Sequence, residues 1–461
     1  MTQTPPRALV QGKVGPLRFR KLDESILITN DWGAWALLDP ARFDDLLQGK
    51  LSADSSLHAE LSEKGFIPGG LSSEDIGERM RARYRWLEQG PSLHILRLTE
   101  AKADGELERM SAETAERCLE VALGTSSPRL VLRFEGPEAL SNGDILERIT
   151  LLAEQRAKDL GKTVTYELRG DLKGLDAARR DWLVEKRFAI WARMDATTLD
   201  DGDAPIREHV RDLVGAYRAL PEGEVVPPVG LVLTLRPETL ELHPTLVRAV
   251  RALDCEQLHL ELPPPTPAGV DPEASVSPEQ WLSFYEATLD ALLELSLEGR
   301  RVLERTTALE AARIFNEGGL HPQAPSSPTT DAIGTLCYAV DGMVCTSELG
   351  QRLYARGDAT FALGMASEKS YGELMGHPTV RALVVGSILQ GQPSCVDCSF
   401  LPYCGQSPAH NHSEQGSLQG RMPDSRWCRV MTGLHERIFR RLASGGETRK
   451  AIEEWARRVG F

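Results

Sequence analysis

The sequence predicts an α/β protein: an open, partial (β/α)6 barrel set between a small N-terminal α+β unit and a C-terminal Cys-rich domain. Two observations carry this. From residue 91 onward, six short apolar segments each run into a helical segment within about 210 residues, and parallel strands need such crossover helices. The cysteines are also unevenly placed. Only Cys118 and Cys255 precede residue 330, and the other six fall between 337 and 428. The length, 461 residues, suits about three domains at roughly 150 residues each. Six units favour a partial barrel over a closed eight-fold one, with a doubly wound sheet as the alternative.

The first unit, residues 1–75, begins with alternating segments Pro16–Leu22 and Ser25–Thr29. Asn30-Asp31-Trp32-Gly33 then reads as a hairpin turn into Ala34–Leu38. Asp39 is placed to cap a helix with Pro40 at its first position, and Phe43, Leu46 and Leu47 share one face of that helix. A second short helix pairs Leu57 with Leu61 and stops at Gly65. Three strands followed by helices is the size of a winged-helix-like unit that binds peptide; a packing subdomain without ligand is the other reading. Arg79, Arg81, Arg83 and Arg85 scatter round a helix, as a solvated linker does.

The barrel, residues 76–325, has strand candidates Leu93–Thr99, Leu130–Phe134, Thr163–Leu168, Phe188–Met194, Gly230–Arg236 and Gln257–Leu262. Helical segments between them include Ala112–Leu123 and Leu146–Leu160. A Pro-rich loop, Leu262–Pro272, leads to helices Pro278–Leu297 and Arg301–Asn316. The Pro/Ser stretch His321–Thr330 marks the boundary with the last domain, residues 326–461. That domain closes with helices Arg429–Leu442 and Glu447–Val459.

Composition narrows the function classes. Apolar residues at 41% place the chain among globular proteins. The formal charge of −14 argues against a nucleic-acid surface. Neither a signal-peptide run nor an 18-residue apolar stretch occurs, which predicts a cytoplasmic protein without a membrane partner. In that compartment cysteines serve metals or stay as buried thiols.

Cys395-Val-Asp-Cys398 is a C-x2-C pair, followed by Cys404 and Cys428. Four thiolates converging from such a turn fit zinc or a 4Fe–4S cluster. His410 and His412 lie nearby and read as surface histidines. Cys337 and Cys345, around Asp341-Gly342, read as paired core thiols. Cys118 and Cys255 read as small core residues of apolar helical stretches.

In their order these features resemble the radical S-adenosylmethionine (SAM) enzymes with a C-terminal SPASM domain, and more narrowly the His-Xaa-Ser system radical SAM maturases of ribosomally made peptides. The resemblance covers nearly the whole chain. Phe19–Leu38 is similar to the family's N-terminal segment, and Pro91–Thr99 to its first barrel strand. Phe134-Glu135-Gly136-Pro137-Glu138-Ala139-Leu140 stands where the family has Phe-Gln-Gly-Gly-Glu-Pro-Leu. Pro402-Tyr403-Cys404-Gly405 through Glu414-Gln415-Gly416, with Cys428, resembles the SPASM end. The x2-then-x5 spacing is closer to SPASM than to zinc ribbons with two C-x2-C knuckles, which implies one 4Fe–4S cluster on Cys395, Cys398, Cys404 and Cys428, with zinc as the alternative.

The chain also departs from the family. Active members carry C-x3-C-x2-C just after the first strand, holding the cluster that cleaves SAM. Here residues 100–109 contain neither Cys nor His, so no SAM-cleaving cluster is expected. The Gly-Gly-Glu that contacts SAM in the family is Gly136-Pro137-Glu138, and Pro removes an N–H; SAM binding is not expected either. The family register puts Ser347 and Ser407 at two further Cys positions, which implies loss of the first auxiliary cluster and retention of the second, on Cys395, Cys398, Cys404 and Cys428.

Three functions follow from the sequence. The first is a pseudoenzyme: a scaffold or partner subunit for an active radical SAM enzyme in maturation of a precursor peptide, holding that peptide by strand addition to the N-terminal unit. The second is an iron–sulfur electron-transfer partner. The third is an enzyme of unrelated chemistry using Glu100, Glu135, Glu138, Glu167 or Asp195 at strand ends.

Overall fold

The computed structural model describes residues 12–102, 104–202, 204–266, 275–315 and 321–459. Residues 267–274 of the Pro-rich loop and Asn316 lie outside them.

The N-terminal unit folds as read. Strands β1 (Arg18–Leu22), β2 (Ser25–Thr29) and β3 (Trp35–Leu38) form an antiparallel sheet. Helix α1 (Pro40–Leu47) starts where the Asp39 carboxylate accepts the Arg42 N–H at 2.9 Å, satisfying one of the free amides of a helix start. Helices α2 (Ser56–Glu63) and α3 (Ser73–Tyr84) follow. The unit has its own core, in which Ile28 and Leu38 from the sheet meet Phe43, Leu46 and Leu47 from α1 and Leu61 from α2. One expectation fails on α3. Arg83 is not solvated; its guanidinium lies 5.7 Å from the Tyr403 ring centre, because an arginine stem and planar head bury well against an aromatic face.

The barrel strands occur where the apolar runs placed them. They are β4 (Leu93–Arg97), then, beyond a short hairpin of β5 (Thr99–Ala101) and β6 (Leu107–Arg109) and helix α4 (Ala112–Leu123), β7 (Arg129–Glu135). Next come α5 (Gly143–Asp159), β8 (Thr163–Gly170), α6 (Ala177–Glu185) and β9 (Ala189–Met194). The series ends with α7 (Ala196–Asp200), α8 (Pro205–Arg218), β10 (Val229–Leu233), α9 (His243–Leu253), β11 (Gln257–Leu260) and the long helix α10 (Pro278–Leu297). Cys255 is buried in the turn between α9 and β11, not in a helix. The helix expected from Arg301 starts later. Leu303–Glu304 pairs with β11 as a two-residue strand β12, and α11 is Arg305–Phe315. Glu304 explains the break: its carboxylate accepts the N–H groups of Thr306 at 3.1 Å and Thr307 at 2.6 Å and so caps α11.

The sheet does not stop at the Pro/Ser boundary. Strand β13 (Thr335–Tyr338) pairs parallel to β4. The hairpin partner β14 (Met343–Cys345) and β15 (Ala362–Met365) continue antiparallel. The result is one open ten-stranded sheet in the order β12-β11-β10-β9-β8-β7-β4-β13-β14-β15. Cys337 and Cys345 stand opposite each other on β13 and β14, both buried, as paired core thiols should. The rest of the C-terminal domain is helical: α12 (Glu348–Tyr354), α13 (Tyr371–Met375), α14 (Pro378–Gly386), α15 (Pro393–Val396), α16 (Pro408–Gln415), α17 (Arg426–Ser444) and α18 (Gly446–Arg458). The last two pack on α10 and α11. Among the described residues no helix is long and apolar enough to cross a membrane.

His94 joins the two halves of the sheet. Its Nδ1 lies 2.9 Å from the Tyr338 hydroxyl and its Nε2 3.2 Å from the Pro91 carbonyl oxygen. Burial lowers this imidazole to about 3. The unfolded chain, titrating near 6.5, therefore takes up a proton that the fold refuses. Stability is complete above about pH 6.5 and falls as pH drops toward 3, by at most about 1.4 kcal/mol per pH unit for each such group. Equilibrium urea unfolding between pH 7 and 4 is expected to show this slope, and His94→Gln is expected to reduce it; an unchanged slope refutes the assignment.

Candidate functional site

Strands alternate their side chains between two faces. In this sheet one face is apolar under the helices, while the other turns inward and carries charge. The inward positions are Arg133 and Glu135 on β7, Glu167 and Arg169 on β8, and Trp191 and Arg193 on β9. Arg133, Glu135, Glu167 and Arg169 are all buried. Glu135 is the hub. Guanidinium nitrogens of Arg97, Arg133 and Arg169 each stand 3.6 Å from its carboxylate, and neither of its oxygens has a hydrogen bond among the described residues. Arg133 Nε donates to Glu167 at 2.6 Å. Arg169 pairs with Glu261 and also lies 3.6 Å from Glu348. Arg305 covers the Trp191 ring at 4.4 Å.

These charges compensate one another. Burial pushes the Glu167 carboxyl up, but Arg133 and Arg305 together outweigh it and hold the group below its usual range. Glu348 is held low in the same way, with Arg169 and Arg352 outweighing burial. A general acid and base need groups whose environments poise them near the working pH. Carboxylates locked to guanidiniums are not poised so, and the network reads as a filled interior, not as an acid–base pair. His259, within the same cluster, is driven well below its ordinary value by burial and by the surrounding arginines.

The five acids singled out at strand ends separate into two groups. Glu135 and Glu167 are buried in the network. Glu100 joins its margin, 3.2 Å from Arg97 and accepting the Gln351 amide at 3.1 Å. The other two point elsewhere. Glu138 pairs with exposed Lys173 at 3.0 Å, and Asp195 caps α7 by accepting the Thr198 N–H at 2.8 Å. Sequence reading missed the arginines. Their signal was present as charged residues two apart inside apolar strands, Arg133-Phe-Glu135 and Glu167-Leu-Arg169, which period-two alternation puts on one face.

Just after β4, strands β5 and β6 pair as a hairpin, with Thr99 opposite Arg109 and Glu100 opposite Glu108. Next to it sits Gly136-Pro137-Glu138. Thr99 Oγ1 donates to the Pro137 carbonyl at 2.5 Å. Gly136 has φ +141°, and a Cβ there would come within 2.6 Å of the Thr99 carbonyl oxygen, so only Gly fits. Glu138 adopts φ +50°, unusual for a residue with a side chain, and its N–H donates to Asp171 at 3.1 Å. The turn after β7 thus packs closely on Thr99 at the start of the hairpin.

Cys395 lies in α15, Cys398 and Cys404 in the turns after it, and Cys428 in the first turn of α17. The thiols share one electrostatic neighbourhood. Burial, with Cys428 and Cys398 adding, pushes Cys395 up to about 12. Burial raises Cys404 well above its ordinary value, with contributions from Cys398, Cys428 and Cys395. Among the described residues no three His, Cys, Asp or Glu side chains stand in closed metal-ligand geometry. As a donor set the four thiols suit a thiolate-bound centre, since ligation requires the deprotonated form that the metal itself supplies. The N-terminal sheet backs this segment: Arg18 Nε donates to the Val396 carbonyl at 2.6 Å, Thr29 Oγ1 to that of Ser399 at 2.7 Å, and the Tyr403 hydroxyl to that of Gly33 at 2.9 Å. One of the two histidines is not a surface group: His410 is buried against Trp427, whereas His412 is partly exposed, its Nε2 2.8 Å from an Asp358 carboxylate oxygen.

Ser347 and Ser407, 60 residues apart in sequence, meet at a common partner. The Ser407 hydroxyl donates to the Asp331 carboxylate at 3.4 Å, and the Ser347 hydroxyl stands close enough to lower the same carboxyl.

No protein-family profile and no curated protein matches the sequence. Solved structures do share its fold. It is similar to native anSMEcpe with bound AdoMet and Kp18Cys peptide, with a TM-score of 0.61 and 15% identity over 77% of this chain and 99% of that one. The likeness to a polyhistidine-tagged anSMEcpe with bound AdoMet has a TM-score of 0.60 at 15% identity, over 79% and 98%. Streptococcus suis SuiB bound to precursor peptide SuiA gives 0.51 at 11% identity, over 90% and 99%. The chain therefore shares the mixed α/β fold of these structures, its ten central strands forming one open sheet.

Proposed function

We propose that this chain is a catalytically silent protein of the peptide-maturase fold, acting as scaffold or partner subunit beside an active radical SAM enzyme in the maturation of a ribosomally made peptide. The observation that carries the reading is the rim after β4. Where the resemblance calls for a Cys-ligated cluster there is a Cys-free hairpin, tied through Arg97 and Glu100 to an interior already filled by ion pairs. The residues there do not fit a SAM-cleaving cluster, because Lys, Ala and Glu cannot replace thiolate ligands.

Two features support the rest of the role. The three-stranded N-terminal sheet has β1 at its edge, which offers backbone groups to an added strand, and SuiB, of similar fold, binds a precursor peptide. Cys395, Cys398, Cys404 and Cys428 would hold one centre, a 4Fe–4S cluster in preference to zinc, whose part is to cross-link the loops that carry them. A cytoplasmic location accords with reduced thiols.

The test is direct. Anaerobic incubation of the purified protein with SAM and a strong reductant is expected to give no 5′-deoxyadenosine above a protein-free blank. Turnover by the isolated chain overturns the proposal.

A further inference from the structure

A cavity of about 240 Å3 lies between the barrel and the Cys-rich domain. Asp331 lines it: the Ser407 hydroxyl donates to its carboxylate at 3.4 Å, the Ser347 and Thr329 hydroxyls stand beside it, and its own N–H donates to Thr329 Oγ1 at 3.2 Å. Among the described residues no cationic side chain pairs with Asp331. The other charges of the lining are already matched, Arg133 to Glu167 at 2.6 Å and Arg352 to Glu348 at 3.5 Å. A half-buried carboxylate without a counter-charge is costly unless something supplies one. Burial accordingly raises this carboxyl to about 6.

We propose that the cavity is a binding site for a small ligand bearing an ammonium or guanidinium group, held by the Asp331 carboxylate. The chemistry of the wall selects this class over a metal ion. Ser347 Oγ accepts the Gly350 N–H at 3.2 Å and Ser407 Oγ that of His410 at 3.3 Å, as caps of α12 and α16. With lone pairs engaged on helix amides, both serines present O–H to the carboxylate and have little left for a cation. One carboxylate falls short of the six to eight oxygens that calcium takes or the octahedron of magnesium. N–H donors suit the site better. His410, also in the lining, keeps Nδ1 without a hydrogen-bond partner among the described residues; the Glu414 carboxylate, at 3.7 Å, is beyond reach. Leu93, Ile95, Pro263 and Trp427 supply apolar wall for an alkyl body. The volume is below that of ordinary drug-sized pockets, roughly 300–1,000 Å3, so the occupant is a small amine or a single peptide side chain.

The test uses the full chain in calorimetry and saturation-transfer NMR. The probes are n-pentylamine, free lysine, the tripeptide acetyl-Ala-Lys-Ala-amide, 1-pentanol and magnesium chloride. At least one ammonium probe is expected to bind and pentanol is not. Asp331→Asn is expected to weaken that binding at least tenfold. Pro264→Trp, which narrows the cavity from an exposed loop and leaves the carboxylate intact, is expected to weaken it as well. Tighter binding of the tripeptide than of free lysine assigns the site to a peptide side chain, and the reverse assigns it to a free amine. The proposal is overturned if no ammonium probe binds, if Asp331→Asn binds as tightly as the parent, or if magnesium binds where the amines do not. It does not depend on the scaffold role proposed above, since SAM cleavage by the chain would leave these outcomes unchanged.

Discussion

Cys398→Ala or Cys428→Ala is expected to lower bound metal to background and open residues 395–428 to limited proteolysis. Phe400, Leu401 and Tyr403 are the main apolar anchors of the first part of this segment. Between them and α17 the chain is short turns, α16 and a 3-10 turn. Ordering costs about 1–2 kcal/mol per residue in backbone entropy, and three anchors do not offset that over such a length. A structural metal contributes on the order of 10–16 kcal/mol of apparent binding energy in small domains. The damage should spread. The carbonyls of Val396 and Ser399 receive side chains from β1 and β2, so hydrogen exchange of the N-terminal sheet is expected to quicken in the same variants. Cys345→Ala is the control, because that thiol is buried in the sheet opposite Cys337. Metal lost from Cys345→Ala but kept by Cys428→Ala would show that the ligand set is wrong.

The second large effect concerns the barrel interior. Arg133→Met removes a guanidinium that faces both Glu167 and Glu135 and leaves two buried carboxylates short of a partner. Breaking such a pair from one side costs about 3–5 kcal/mol, whereas replacing both partners by apolar side chains can be nearly neutral. Urea unfolding of Arg133→Met should therefore show a loss of that size, and Arg133→Met/Glu167→Met should regain a good part of it. A single-variant loss below about 1 kcal/mol would mean that water reaches these groups and that the network is not a closed interior.

How far the fold and the site are legible in the sequence follows from range. The barrel strands β4 and β7 to β11 are legible because each is a run of apolar residues bounded by turns, a property of adjacent positions; the short hairpin strands β5 and β6, polar and three residues each, are not. The α1 cap is legible for the same reason, as Asp39-Pro40 is a local signal. The Cys395–Cys404 grouping needs only spacing. The network round Glu135 is not legible, because its members come from distant parts of the chain and meet only when the sheet coils. Asp331 is hidden more deeply. It sits in an irregular stretch between Pro and Thr residues, and its partners Ser347 and Ser407 join it through two helix starts far along the sequence. His410 is misjudged because a polar residue in a Pro/Gly-rich segment looks solvated. Trp427, from another helix, is what covers it. The helix at Arg301 is misread at its start because a two-residue strand leaves no periodicity to detect.

The pairing of β13 with β4 bears on how the protein comes into being. Leu93 and Thr335 are partners across some 240 residues. At a synthesis rate of roughly 5–20 residues per second, the first barrel strand leaves the ribosome about ten to fifty seconds before its neighbour exists. During that interval β4 has β7 on one side and a bare edge on the other. Exposed edges of this kind invite pairing with other chains, and long-range pairing is slow to form because loop closure comes first. The nascent barrel is therefore a natural client for a chaperone, and a ribosome stalled before residue 335 should hold an aggregation-prone intermediate.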